Sequence, residues 1–200
     1  MKVVFVLIAL MLLGGCSTFP AAVLPSVGAY SPQEVNGDKI KQLYFSGIKT
    51  RLENTSIGQM KVGNVCLNER ELKWFTNSEL NDIFRDGIID ALDSHGYPIP
   101  TDTLELKNQQ DADVLIGAKL SSVLANICSA RVGTKGEGVF EIEWIIYDKA
   151  SDISTTVVSF GRGVQLEPIP GGSVPLWTKA VQDATKGLMV SKEFTSIVTK

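Results

Sequence analysis

The pattern of apolar and polar residues predicts a long amphipathic helix that begins at about Thr76 and ends before Gly96. Thr76 and Glu79 have the spacing of a capping box, although either of the two residues between them could cap the helix instead. Gly96 suits the left-handed position that follows a helix, and Pro98 prevents the helix from continuing. Apolar side chains recur at helical spacing between these signals: Leu80, Ile83, Phe84, Ile88, Ala91 and Leu92.

Strands are predicted where apolar residues recur at every second position. Residues 58–67 form one such segment, residues 111–129 a longer one, and residues 136–148 the clearest. The turn sequence at 148–152 joins the last of these to a hairpin partner at 153–161. The alternation predicts two buried faces, made of Val114, Ile116, Ala118 and Leu120, and of Phe140, Ile142, Trp144 and Ile146.

A second helix is predicted after a loop at residues 162–172, with Ser173 as its cap and Pro175 in its first turn. Residues 191–198 are expected to add a further turn that docks on the core. Residues 38–52 are compatible with a strand pair or with a short helix, and the pattern does not decide between the two. The apolar stripe of the second helix consists of Leu176, Ala180, Ala184 and Leu188.

The order strand, helix, three antiparallel strands, helix predicts an α+β fold, because each element must bury its apolar face against another. We expect an antiparallel sheet of about four to five strands with two main helices packed on one face. A single domain over residues 38–200 would contain all of these elements.

The first fifteen residues have the pattern of a secretory signal. Lys2 precedes an apolar run from Val3 to Leu13, and small residues follow this run. A helix over Val3 to Gly15 would cover only ~20 Å. Because the hydrocarbon core of a bilayer is about 30 Å thick, a membrane-spanning helix is not expected here.

The sequence LGGC at residues 13–16 resembles the bacterial lipobox, in which a hydrophobic residue and two small ones precede an invariant cysteine. The resemblance implies that residues 1–15 are removed, that Cys16 is acylated, and that residues 16–37 are a lipidated N-terminus and tether. Ser17, where an aspartate would signal inner-membrane retention, implies a lipid anchor on the periplasmic face of the outer membrane. An ordinary signal peptide with an incidental cysteine is the alternative.

Net charge and cysteine content indicate which partners and which covalent cross-links to expect. Without the signal segment, 18 basic and 22 acidic side chains remain, a net charge near −4, and no run of basic residues occurs. A nucleic-acid partner is therefore not expected. In an oxidising compartment, the two other cysteines, Cys66 and Cys128, are expected to form a disulfide rather than remain buried thiols. Closing a loop of this length would stabilise the fold by roughly 4 kcal/mol.

Two segments carry a second resemblance: ALDSHGY at residues 91–97, which ends the long helix, and GEGVFEIEWIIYD at residues 136–148. They make the chain similar to small periplasmic lipoproteins of Gram-negative envelopes, namely the penicillin-binding-protein activator lipoproteins, the TolB N-terminal module and the YajG-like group. The resemblance covers about residues 58–190 in element order. It implies a compact sheet with helices on one face, and a protein that acts by holding partner proteins.

No motif predicts catalysis, a metal site or a cofactor, and the chain is not expected to be an enzyme. His95, the only histidine, suits the negative end of the first helix. The glycine-rich segment at 133–138 lacks the Lys-Ser/Thr pair of a phosphate loop and is predicted to be a turn. The Ser-x-x-Lys sequence at 46–49 lacks its companion motifs. Glu141 and Glu143 are expected on the solvent side of their strand.

A candidate partner-binding surface is predicted in and after the Pro/Gly-rich loop, at Leu166, Ile169, Val174 and Trp177. Apolar side chains presented in this way would suit an anchor for a protein partner. The alternative is a loop that folds back over the sheet, with Ile169 and Trp177 in the core. Alanine at both positions would leave stability nearly unchanged only in the first case.

Together these features predict a membrane-anchored periplasmic accessory lipoprotein that binds a protein partner in an envelope assembly and catalyses no reaction. A lipid or small-molecule carrier is the alternative, and it would need an internal apolar cavity of several hundred Å³ between the sheet and the helices. A hydrolase is a third hypothesis, and it would need a cleft containing a carboxylate pair or a serine in contact with a base.

Overall fold

The structure of the protein, a computed structural model, describes residues 20–50, 52–63, 65–75, 78–100 and 109–200. Cys16 and Thr76 lie outside these residues, as does the predicted signal segment. The strands are β1 (Leu43–Thr50), β2 (Ser56–Val62), β3 (Asn68–Lys73), β4 (Val114–Ala130), β5 (Gly133–Asp148) and β6 (Ile153–Ile169). The helices are α1 (Ser78–Asp93), α2 (Val174–Met189) and α3 (Lys192–Val198), and a short 3-10 turn at Gly37–Lys39 precedes β1. Within the described ranges, none of the helices has the length and apolar character needed to cross a membrane.

The sheet has six strands and is mixed, in the order β3-β2-β4-β5-β6, with β1 also paired to β4. Strands β4, β5 and β6 form an antiparallel meander, as expected. Strands β1 and β2 both run parallel to β4, β1 along residues 114–120 and β2 along residues 125–129. The α+β class is thus confirmed, but the expected antiparallel sheet of four to five strands is wrong. Alternation marks which face of a strand is buried, and carries no information about the direction of its neighbour.

Several predicted elements agree closely with the structure. Helix α1 is followed by Gly96 at φ +84°, in the left-handed conformation expected of it. The ambiguous segment before residue 52 contains strand β1. Strand β3 was not predicted, because its sequence NERELK is polar and it pairs only at the sheet edge. Strand β6 continues to Ile169, so most of the loop predicted at 162–172 is strand.

The predicted buried faces of β4 and β5 are confirmed. Strand β4 buries every second residue from Val114 to Leu120, and its register shifts between Leu120 and Ser122. After this bulge the buried positions are Val123, Ala125 and Ile127, so the strand keeps one face toward the core over its whole length. We call this face of the sheet, on which α1 and α2 pack, the core face.

An aromatic cluster fills the space between the core face and the two long helices. Trp177 of α2 stacks on Phe140 of β5 with ring centroids 5.5 Å apart, and Trp74 meets both rings edge-on at 5.9 Å and 5.7 Å. Phe84 of α1 completes the cluster, 5.6 Å from Phe140. Aromatic pairs in these geometries add to the stabilisation that comes from burying their large apolar area.

Helix α2 lies directly on the backbone of β6. A Cβ added at Gly161 would collide with the carbonyl oxygen of Ala180, and one added at Gly163 would collide with that of Leu176. The buried hydroxyl of Ser159 links the same layers, since it accepts a hydrogen bond from Trp144 Nε1 and donates one to the Ala184 carbonyl, both at 2.7 Å. Small residues on β6 therefore allow the helix to approach the sheet closely.

The segment from residue 20 to residue 37, expected to act as a tether, contacts the domain at separate points. The side chain of Asn126 on β4 bonds both the amide and the carbonyl of Ala22, each at 2.8 Å. The amide of Val35 donates to the carbonyl of His95 at 3.1 Å. The described part of the predicted tether is thus fixed to the domain by its own backbone hydrogen bonds.

The disulfide expected between Cys66 and Cys128 is present, with its sulfur atoms 1.95 Å apart. Cys66 lies in the turn between β2 and β3, and Cys128 lies near the end of β4. The bond therefore ties the β2–β3 turn to the central strand of the sheet.

Replacing Gly161 by alanine should lower the free energy of unfolding by about 1–3 kcal/mol, the usual cost of overpacking, because the added methyl group must push α2 away from β6. The matched control is Gly28→Ala, at an exposed position where an added Cβ meets nothing within 4 Å. This control should change stability by no more than about 0.5 kcal/mol. Urea unfolding followed by near-ultraviolet circular dichroism measures both. Equal stability of the two variants would show that α2 does not rest on the glycine.

Candidate functional site

The face of the sheet opposite the core face is the candidate site, and we call it the open face. Alternation along β5 and β6 places Ile145, Val158 and Phe160 on this side, because their neighbours Trp144, Val157 and Ser159 are buried in the core face. These three side chains remain 44%, 51% and 37% exposed. We refer to Ile145, Val158 and Phe160 as the apolar stripe.

The strand register brings the stripe together. Val158 stands opposite Glu143, and Phe160 stands opposite Glu141. Ile145, two residues from Glu143 on the same face of β5, is therefore the diagonal neighbour of Val158. The stripe runs across the two strands as one surface, not as three scattered side chains.

Paired polar groups border the stripe. Lys119 Nζ lies 3.0 Å from Glu143 Oε2, and Ser121 Oγ donates to Glu141 Oε1 at 3.0 Å. Glu141 and Glu143 are partly exposed on the open face, as predicted. Each carboxylate has a partner of its own on β4, so the two do not form a shared acid–base pair.

Two grooves flank the stripe on the open face. The larger, of about 560 Å³, lies beside the disulfide and is lined by Asn126, Lys135, Val164 and Leu166 among others. The second, of about 380 Å³, is lined by residues of β1, β4 and β5, including Ser46, Lys49, Lys119 and Ile145. The hydrogen bonds between Ala22 and Asn126 place the N-terminal segment next to the larger groove.

The structure separates the four residues predicted to form a partner-binding loop. Leu166 and Ile169 lie on β6 and are 80% and 36% exposed. Val174 is partly buried at the start of α2, and Trp177 is only 6% exposed in the aromatic cluster. The expectation that Trp177 belongs to an exposed anchor is therefore wrong, because helical spacing turns its ring onto Gly138 and Phe140 of the core face. Leu166 and Ile169 remain available for binding.

The other residues considered for chemistry have structural partners. His95 Nδ1 lies 2.8 Å from the carbonyl oxygen of Ala91, which agrees with its predicted place at the end of α1. Ser46 Oγ donates to the Ile116 carbonyl at 3.0 Å, so it pairs β1 with β4. Residues 133–138, predicted to be a turn, begin strand β5 instead. Within the described residues no group of three or more His, Cys, Asp and Glu side chains could hold a metal ion.

Shifted pKa values are found at the β5–β6 hairpin and in the core, and one of them belongs to Tyr147, which lines the second groove of the open face. The hydrogen bond that Tyr147 donates to Asp152 raises the pKa of the tyrosine. A hydrogen bond from Ser151, together with Lys41 at 3.2 Å, lowers the pKa of the Asp148 carboxyl. Both groups belong to the β5–β6 hairpin, and burial raises the pKa of Tyr97 in the core. These shifts follow from turn geometry and packing, and they do not indicate a catalytic group.

The apolar stripe was missed from the sequence, although β6 carries a signal for it. The core-facing residues in this part of β6 are small, namely Ser159, Gly161 and Gly163. The outward-facing residues of the same strand include Val158 and Phe160. This reverses the usual alternation, in which the larger apolar residues face inward. Such a reversal indicates a helix in close contact on one side and an apolar surface on the other.

No protein-family profile and no curated protein matches the sequence. Among solved structures, the chain is similar to PelC of Paraburkholderia phytofirmans, a dodecamer, at 10% identity and a TM-score of 0.44 over 84% of this chain and 100% of that one. It is also similar to a Xanthomonas campestris protein from a family of unknown function, at 10% identity and a TM-score of 0.41 over 82% and 92% of the two chains. These similarities are too distant to carry a conclusion about function.

Replacing Trp177 by alanine should destabilise the protein by about 3–5 kcal/mol, because it empties the centre of the aromatic cluster. Leu166→Ala is the control, since this side chain is 80% exposed, and it should change the free energy of unfolding by at most about 0.5 kcal/mol. Equilibrium unfolding in urea gives both values. If Trp177→Ala left the free energy of unfolding nearly unchanged, Trp177 would again be a candidate surface anchor.

Proposed function

We propose that the protein is a non-catalytic accessory lipoprotein that is anchored in the outer membrane and binds a protein partner of a cell-envelope assembly through its open face. The observation that carries the proposal is the apolar stripe. Three large apolar side chains stand side by side on a face against which neither long helix packs. Contiguous exposed apolar surface with a polar border is typical of binding sites.

The polar groups around the apolar stripe favour the hypothesis that its ligand is a protein. The Lys119–Glu143 pair and the Arg162–Glu137 pair, at 3.0 Å and 2.6 Å, provide an ordered polar rim around an apolar centre. Interfaces between proteins have this arrangement, with depleted charge at the centre and hydrogen-bonding groups at the edge.

The anchor rests on the lipobox-like sequence that ends in Cys16. Several acyl chains on one residue hold a protein on a membrane stably, since each buried methylene contributes about 0.8 kcal/mol. Confinement to the membrane raises the effective concentration of the domain near a partner in the same envelope. The Cys66–Cys128 disulfide suits the oxidising compartment that this address implies.

The carrier hypothesis has less support, because the space between the sheet and the helices contains the aromatic cluster. Each of the rings of Trp74, Phe84, Phe140 and Trp177 has its centroid 5.5–6.2 Å from those of at least two of the others there. The two grooves on the open face are surface features, and their walls include charged residues such as Lys135 and Lys119. The hydrolase hypothesis is weakened by the separate partners of Glu141 and Glu143.

A photoreactive amino acid at position 158 should form a covalent adduct with one specific protein in intact cells, because this position is at the centre of the stripe. The control position is Phe75, which is 66% exposed but lies between β3 and α1. The variant Ile145→Ser/Phe160→Ser should remove the adduct with no change in the thermal unfolding midpoint, whereas Phe75→Ser should retain it. The proposal fails if both positions give the same adducts, and an adduct with lipid alone would favour the carrier.

Cys16 should be the first residue of the mature protein and should carry acyl chains. Intact mass spectrometry of the chain purified from membranes is expected to show the loss of residues 1–15 and the added mass of fatty acids. Cys16→Ser should abolish both changes, because the thioether requires a thiol. An uncut and unmodified N-terminus in the native chain would remove the proposed address.

A further inference from the structure

We propose that one end of the sheet inserts apolar side chains into the lipid surface of the membrane that carries the anchor. We call it the hairpin end, because β4 turns into β5 there. Its exposed apolar residues are Val65, Leu67, Val132, Leu166 and Ile169. This inference rests on the acylation of Cys16 included in the proposed function, and it adds how the domain is oriented on the membrane.

The strand register shows that these residues belong to one end of the molecule. Val62 at the end of β2 pairs with Ser129, and Ala130 at the end of β4 pairs with Gly133. Thr134 pairs with Ile169 at the end of β6. The turn that contains Val65 is tied to β4 by the disulfide, and the turn that contains Val132 joins β4 to β5.

The hairpin end is also where apolar exposure is concentrated. Leu166, Leu67, Val65 and Val132 are 80%, 74%, 71% and 67% exposed, and among the described large apolar residues only Val23 exceeds them, at 89%. Side chains exposed to this degree contribute little to the core. Their burial in an acyl–headgroup boundary would remove this apolar area from water.

The attachment of the N-terminal segment brings the anchor to this end. Ala22 is held by Asn126, and Cys16 is six residues earlier, so the two can be separated by at most about 20 Å. Asn126 is four residues, or about 13 Å, from the end of β4 at Ala130. It is twelve residues, or about 40 Å, from the start of β4 at Val114. The acyl chains therefore reach the bilayer beside the hairpin end, and the opposite end of the sheet points away from it.

The charges around the hairpin end suit a phospholipid surface. Arg131 and Lys135 are exposed on either side of Val132, and Glu167 is the exposed acidic residue nearby on β6. Long basic side chains can extend along an apolar surface while their charges remain among the headgroups. The opposite hairpin has the polar sequence DKASD at 148–152, and Ile153 is the exposed apolar residue next to it.

In this orientation the strands would run roughly along the membrane normal, and the open face would be directed laterally into the periplasm. A partner could then reach the apolar stripe without displacing lipid. The proposed function requires only that the domain is anchored, so this orientation is a separate claim.

The test uses the full chain, purified from membranes in detergent and reconstituted into vesicles of phosphatidylethanolamine and phosphatidylglycerol with brominated acyl chains. Two reporters, Leu67→Trp and Val132→Trp, place an indole in separate turns of the hairpin end. Ile153→Trp is the matched control, since this side chain is 58% exposed at the opposite end. The native Trp74, Trp144 and Trp177 are buried and provide a background measured on the unchanged chain.

We expect the bromines to quench about half or more of the added emission in both hairpin-end reporters, because an indole at the interface lies within reach of the acyl chains. Emission from Ile153→Trp should equal its value in vesicles without bromine. Unchanged unfolding midpoints establish that the three variants are folded. Equal quenching at both ends, or quenching at neither end, overturns the inference.

The same samples distinguish this inference from the proposed function. If mass spectrometry shows an acylated chain but the hairpin-end reporters are not quenched, the orientation is wrong and the anchored binding protein stands. If the chain is not acylated and yet both hairpin-end reporters are quenched, the lipid contact is supported and the proposed address is wrong. An unmodified chain without quenching overturns both.

Discussion

Helix α2 rests on the backbone of β6 at Gly161 and Gly163, and much of the structure follows from this contact. Because the inward positions of this part of β6 must be small, the large apolar residues of the strand, Val158 and Phe160, face outward. The aromatic volume of the core is supplied by neighbouring elements, with Trp177 of α2 lying over Phe140 of β5. One constraint thus closes the core on one face of the sheet and leaves an apolar surface on the other.

Two further ties act at one end of the sheet. The Cys66–Cys128 disulfide fixes the β2–β3 turn to β4, and Asn126, two residues before Cys128, holds the N-terminal segment at Ala22. A chain that leaves the domain at this point cannot act as a long free tether. The position of the proposed anchor would then be coupled to the orientation of the sheet, because the hydrogen bonds at Ala22 fix where the chain leaves the domain.

The groups considered for chemistry have structural partners within the described residues. Glu141 and Glu143 on the open face are engaged by Ser121 and Lys119, and His95 is bonded to the end of α1. The shifted pKa values belong to the β5–β6 hairpin and to the core. The unusual feature is exposed apolar surface, at the stripe and at the hairpin end. The proposed binding of another protein and the proposed contact with a lipid surface both depend on this exposed apolar surface.

Local periodicity in the sequence was sufficient to predict α1, the β4–β6 meander, α2 and the buried faces of β4 and β5, because helices and strands bury residues at fixed spacings. Cysteine content was sufficient to predict the disulfide. Tertiary structure alone decided that β1 and β2 run parallel to β4, that Trp177 is buried, and that Ala22 is bonded to a residue 104 positions away. These features depend on pairings between distant segments, which no local pattern encodes. The apolar stripe was determined partly by the sequence and partly by the tertiary structure. Its residues alternate locally, but their exposure depends on the helix packed against the other side of the strand.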